Sequence, residues 1–231
     1  MAPDAWRMEE RMIELGPTTT PGAPRRNLFA RLAGAAAVGL AGLLPTPSSA
    51  QSATPGADGP NWPGTLQGRH RQVVDAYNVS SGHPLVFAHT FLATNPPGLA
   101  TSVIVLRAEA LPIALNSTMW EKYKIGESLN IMDPETKAPA VKNPFLHPKP
   151  GVLQVDDSAI DRLLGEGAVV GACNVALRGQ SRRLAGNAGV GADQAAKEWA
   201  ENVVAGVTII PSGVWGLNRA QEAGCTYCAG G

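Results

Sequence analysis

"VVGACNVALRG", residues 169–179, is the stretch whose reading decides the fold. Ala168, Val169 and Val170 open an apolar, β-favouring run that stops at Cys173. From Asn174 the pattern turns helical, through "NVALRGQSRRLAG". The spacing predicts a strand over 168–173 that hands over to a helix at once, which is half of a βαβ unit.

The flanking sequence repeats this alternation. "RQVVDAYN" (71–78) reads as a strand, and 82–95 as a helix with Leu85, Ala88, His89 and Leu92 on one face and Pro84 in its first turn. "TSVIVLR" (101–107) is a continuous β-branched run, the pattern of a strand covered on both faces. A helix is expected over 111–123. Another is expected over 156–167, with Asp156 or Asp157 as N-cap and Gly165 or Gly167 as terminator. A helix over 192–204, a strand over 206–213 and a last helix stopped by Gly224 follow. Strands alternating with helices imply an α/β fold with a mainly parallel sheet. Pro134, Pro139, Pro144, Pro148 and Pro150 make 124–154 an irregular insertion, serving as a lid, an interface element or a plain loop.

Composition limits the function. The chain has 231 residues and a formal net charge of zero, and aromatics make up 5%. There is no basic footprint for nucleic acid and few stacking platforms for bases. Residues 1–50 resemble a twin-arginine (Tat) signal peptide: Arg25-Arg26, an apolar Leu32–Leu44 stretch and Ser48-Ser49-Ala50 as cleavage pattern. The apolar run, about 13 residues, is too short for a bilayer that needs roughly 20. The expectation is therefore export by the Tat translocase to the periplasm, with cleavage near Ala50. Residues 51–66, rich in Gly, Pro and Ser, read as a flexible linker, and 67–231 as one folded domain.

In open α/β sheets, ligands sit outside the carboxyl ends of the strands. Those ends are Arg107, Cys173 and the Pro211-Ser212-Gly213 turn. Cys173 also precedes a helix, whose N-terminal amides favour a thiolate. The neutral alternative is a buried cysteine acting as a small apolar group. Two known cysteine loops fail on spacing. A phosphatase loop needs Cys-x5-Arg, but position 179 is Gly and Arg178 falls one short; a rhodanese loop has Arg straight after the Cys, where this chain has Asn174.

"AVVGACNVALRG", "TIIPSGVWGLNRAQEAGCTY" and "SVIVLRAEALPIALN" together resemble the DsrE/DsrF-like family, and its exported, Tat-signal-bearing members most. The resemblance spans about residues 69–228. It implies a flavodoxin-like three-layer α/β sandwich assembled into trimers or hexamers. It also implies a persulfide-carrying cysteine at Cys173, exchanging sulfur with a donor or acceptor protein. The Asn174 and Val175 N–H groups would then stabilise the anionic sulfur, with Arg107, Ser212 and Gly213 completing the binding edge. This chain departs from the family's sulfur carriers in being exported and in carrying the Pro-rich insertion.

Cys225 and Cys228 form a C-x-x-C after the last helix. Export favours a local disulfide or redox pair. A bond from one of them to Cys173, a metal site and free thiols are the alternatives. His70, His83, His89 and His147 are remote in sequence, so no metal is expected, and no cofactor. Three functions follow: a sulfur carrier or sulfurtransferase at Cys173, a non-enzymatic oligomeric binding or assembly module, and a thiol–disulfide protein using Cys225 and Cys228.

Overall fold

The computed structural model describes residues 61–231. The expected signal peptide over 1–50, and the expected linker as far as residue 60, lie outside the described residues. Five strands, β1 (His70–Ala76), β2 (Ala100–Leu106), β3 (Val169–Cys173), β4 (Val207–Ile210) and β5 (Thr226–Ala229), make one sheet in the order β4-β3-β2-β1-β5. Every neighbouring pair is parallel. The helices are α1 (His83–Ala93), α2 (Ser117–Lys122), α3 (Ile125–Leu129), α4 (Ile160–Gly165), α5 (Asn174–Leu184), α6 (Ala192–Glu201) and α7 (Gly213–Glu222). The expected flavodoxin-like α/β sandwich is present. Its strand order differs from the 2-1-3-4-5 of flavodoxin itself.

That order dictates the layers. From β1 to β4 the chain steps in one direction, so right-handed crossovers place the intervening helices on one face. The return from β4 across the sheet to β5 puts α7 on the other. Side-chain alternation along the strands bears this out. Val74, Ile104, Val170 and Ala172 pack with Leu85 of α1, Leu177 of α5 and Trp199 of α6. Val73, Val103, Val105 and Ile210 pack with Ala220 of α7.

The second face is covered by more than α7. Trp62 and Leu66 are buried in the same cluster, so the chain is packed from Trp62 rather than running as a linker to residue 66. Two glycines make room for the indole. A Cβ on Gly171 of β3 would stand 2.7 Å from Trp62 Cζ2, and one on Gly216 of α7 3.2 Å from Cζ3.

Local sequence explains the other departures. The helix expected over 111–123 is a 3-10 stretch, Ala108–Ala114, followed by α2. Pro112 lacks the N–H that an α-helix interior requires, and Asn116 starts the new helix by accepting the Met119 N–H at 3.3 Å. The helix expected over 156–167 is a 3-10 turn, Asp156–Ser158, and then α4. Neither Asp156 nor Asp157 caps α4; Asp156 accepts instead from the Gly151 N–H at 2.6 Å. Gly167, with φ +89°, follows the helix as expected of a terminator. Strand β5 was not anticipated at all. It pairs with β1, Val74 beside Cys228, and places the C-x-x-C on a sheet edge.

Candidate functional site

Parallel strands bring all the named strand ends to one edge of the sheet. Cys173, last in β3, lies in register with Ile210, last in β4. The two chains part immediately beyond, since β3 leads to α5 on one face and β4 to α7 on the other. Adjacent strands whose helices diverge define the switch point, where ligand crevices form in such sheets. Cys173 on one side and Ser212-Gly213 on the other therefore flank the crevice position that topology alone designates.

Each side starts with a side-chain cap. Cys173 is the N-cap of α5, and its Sγ accepts the Ala176 N–H at 3.4 Å. The donor is the third helical residue, the usual reach of an N-cap side chain. The Asn174 and Val175 amides, expected to stabilise an anionic sulfur, precede it in the same first turn. Ser212 Oγ caps α7 in the same way, accepting from Trp215 N at 3.2 Å. Cys173 is 5% exposed and belongs to neither apolar cluster. By contrast, the first-turn residues beside it stand in solvent: Val175 is 66% and Val214 68% exposed.

Arg107 is part of a charged network at the end of β1 and β2. Its Nε donates to Asp75 Oδ1 at 2.6 Å and its Nη2 to Oδ2 at 2.8 Å. Tyr227 of β5 donates its hydroxyl to the same Oδ2 at 2.9 Å. The guanidinium lies 4.6 Å from the centroid of the Tyr77 ring. The hydrogen bonds to Asp75 raise the Arg107 pKa further, even against burial. Hydrogen bonding to Asp75 also raises that of Tyr227. A bidentate Arg–carboxylate pair fixes both partners. Arg107 thus spends two nitrogens on Asp75, which is 5% exposed, and acts first as a clamp on the sheet end. Gly213 receives the Arg107 stem: a Cβ there would stand 2.5 Å from Arg107 Cδ. Gln180 of α5 secures the next residue by donating Nε2 to the Ala108 carbonyl.

The structure brings Cys173, Arg107, Ser212 and Gly213 to one edge, and it separates the C-terminal cysteines. Cys225 is buried with Val73 and Val103, whereas Cys228 packs with the α1 and α5 cluster. They face opposite sides of the sheet, as residues three apart in extended chain must. All three cysteines are free thiols. In this arrangement Cys225 and Cys228 stand apart rather than as the expected local disulfide or redox pair. Cys173 stands farther still from both, because β3 and β5 are separated by β2 and β1, about 14 Å at the usual strand spacing. Burial pushes the Cys225 thiol up to about 11 and raises that of Cys228, so neither is an activated nucleophile.

Sequence reading missed Asp75, Tyr77 and Tyr227. The signal available was Asp75 itself, a carboxylate inside the apolar run "QVVDA". No family model, curated protein or solved structure matches the chain significantly.

Proposed function

We propose that this protein is a DsrE-like sulfur carrier working in the periplasm after Tat export, with Cys173 as the carrying residue. The observation that supports it is the Ala176 N–H directed at Cys173 Sγ at the start of an eleven-residue helix. An amide donor backed by a helix dipole stabilises an anionic sulfur over a neutral thiol. In the reaction, the Cys173 thiolate attacks the sulfane sulfur of a donor such as thiosulfate. A new S–S bond forms, and sulfite leaves with the electron pair of the broken bond. The resulting persulfide is an anion one sulfur longer, which brings its terminal atom toward solvent. An acceptor thiolate, on a partner protein or a small thiol, attacks that terminal sulfur and restores the Cys173 thiolate. The small exposure of Cys173 favours slender donors over bulky ones.

The test is intact mass of the exported protein after thiosulfate or polysulfide, with and without reductant. A reductant-sensitive gain of one sulfur atom, absent in Cys173→Ser, is the expected result. No gain on Cys173 overturns the reading.

A second reading is a non-enzymatic assembly module. The exposed Val175 and Val214, with exposed Tyr77 and Tyr227 along the same edge, favour it. Copies of the chain would then associate there as trimers or hexamers. Val214→Glu would dissociate the assembly in analytical ultracentrifugation, and Cys173→Ser would leave it intact.

A further inference from the structure

We propose that the Pro-rich insertion and the β1–α1 loop together form a second binding site, for an uncharged amphipathic molecule: an amide head group on an alkyl or aryl body. The site is a cavity of ≈ 880 Å³. That is within the range of pockets that take small organic ligands. Residues 78–81 after β1, residues 128–134 and 152–154 of the insertion, and Arg183 of α5 meet around it. Cys173 does not line it, and Arg183 stands ten residues along α5 from Cys173, about 15 Å at 1.5 Å per residue.

The walls decide the ligand's body. Val79, Leu129, Ile131 and Leu153 are partly buried against the α1 and α5 core, and Phe145 belongs to that core. Together they give the cavity an apolar side that water still reaches. Such a surface gains by covering an alkyl or aryl group.

The charges disfavour a net charge on the ligand. Two cations and two carboxylates line the cavity, and each cation has a carboxylate for a neighbour in the chain or in the fold. Asp133 and Lys137 share one turn, in which the Lys137 N–H donates to the Asp133 carbonyl at 3.0 Å. Asp133 stays ionised, because the amides of Thr136 and then Glu135 hold its carboxyl below the usual carboxylate range. Glu109 and Arg183 belong to the 3-10 stretch and to α5, which Gln180 joins by donating to the Ala108 carbonyl. Arg183 lies one turn on from Gln180, on the same side of the helix. A charged head group of either sign meets repulsion as well as attraction here, and gives up its hydration for no net gain.

The uncharged polar side chains decide the head group. Ser81, Asn130 and Gln154 line the cavity, and none of their side chains has a hydrogen bond among the described residues. Asn and Gln each offer N–H donors and an oxygen acceptor at once. An amide on the ligand matches both, whereas a carboxylate only accepts and an ammonium only donates.

Isothermal titration of the full chain at pH 7 tests this with hexanamide, hexanoate and hexylammonium as separate probes. Hexanamide is expected to bind one per chain, at least about tenfold tighter than either charged analogue. Asn130→Ala with Gln154→Ala should lower hexanamide affinity about tenfold, the loss of two ordinary hydrogen bonds. Asn130→Asp with Gln154→Glu keeps the shape of both side chains and unbalances the charge, so hexylammonium should become the tightest of the three probes. Both pairs are exposed and leave the fold intact. Absent hexanamide binding, a charged analogue binding the native chain as tightly, or a probe order unchanged by the acidic pair overturns the proposal. Cys173→Ser leaves hexanamide binding unchanged, so this site and sulfur transfer stand or fall separately.

Discussion

The indole of Trp62 occupies the space that a side chain on Gly171 would need, with 2.7 Å between Trp62 Cζ2 and the position of a Cβ there. A segment ahead of the first strand is thereby locked onto the middle of the sheet, beneath α7. Trp62→Ala should remove about 3–5 kcal/mol, the range for deleting a buried aromatic ring. Gly171→Ala should cost about 1–3 kcal/mol by overpacking, and less in the Trp62→Ala background, where its Cβ has room. The indole N–H has no partner, so Trp62→Phe should cost far less than Trp62→Ala. Urea denaturation of the four variants checks this; additive losses at positions 62 and 171 would refute the contact.

The Asp75–Arg107 pair should matter more for the sheet end than for any ligand. Arg107→Ala leaves a carboxylate that is 5% exposed with only the Tyr227 hydroxyl. The expected loss is about 2–4 kcal/mol, below the full cost of breaking a buried pair because Arg107 is partly solvated. Asp75→Asn in the Arg107→Ala background should return part of it. A double-mutant cycle in urea measures the coupling, and a coupling near zero would contradict the bidentate geometry.

These two relationships mark what sequence could and could not convey. The alternation around "VVGACNVALRG" and "TSVIVLR" carries the sheet, because buried parallel strands are continuous apolar runs. It also places Cys173, Arg107, Ser212 and Gly213 at strand ends, since that needs only strand boundaries. Composition misled at Trp62, where surrounding Gly and Pro suggest a linker and the lone bulky aromatic was the contrary sign. Strand β5 was hidden because "TYCA" is short and lies at an edge: its ladder with β1 makes it a strand, and no local pattern announces that. The C-x-x-C spacing then pointed to a pair whose members the extended chain places on opposite faces.

The thiol of Cys225 gives an alkaline signature. It is raised by burial from about 9 to about 11 in the folded chain. Between those values the folded state keeps a proton that the unfolded state has lost, so stability is full below pH 9 and falls as pH rises toward 11. Cys225→Ala should flatten that decline in thermal melts at pH 8, 9 and 10. Alkylation by iodoacetamide should be slow at pH 7.5 and accelerate with pH. Oxidation with diamide should yield no Cys225–Cys228 bond in the intact chain; finding one by peptide mapping would contradict the opposite-face placement.

Glu198 gives the acid counterpart. Lys122, then the Tyr123 hydroxyl and Gln194, hold its carboxyl at about 2 by hydrogen bonding. A depressed carboxylate contributes stability that is present above its unfolded value, near 4.5, and is lost as pH falls toward 2. Glu198→Gln should therefore lower the melting temperature at pH 6 and have little effect at pH 2. An equal effect at both would show that the carboxylate charge plays no part.

Substitution at Cys173 can separate structure from chemistry, because helix capping and the proposed sulfur transfer need different atoms. As N-cap of α5 it needs an acceptor for the Ala176 N–H, now met by Sγ at 3.4 Å. An oxygen serves that purpose at least as well. Cys173→Ser should thus keep the cap and melt within about 1 kcal/mol of the native chain, whereas Cys173→Ala should lose about 0.5–2 kcal/mol. Sulfur uptake should vanish in both. A serine variant that folds normally and takes up no sulfur assigns the chemistry to the thiol rather than to the helix end. A serine variant as unstable as alanine would instead show that Sγ is held by packing and that the amide contributes nothing.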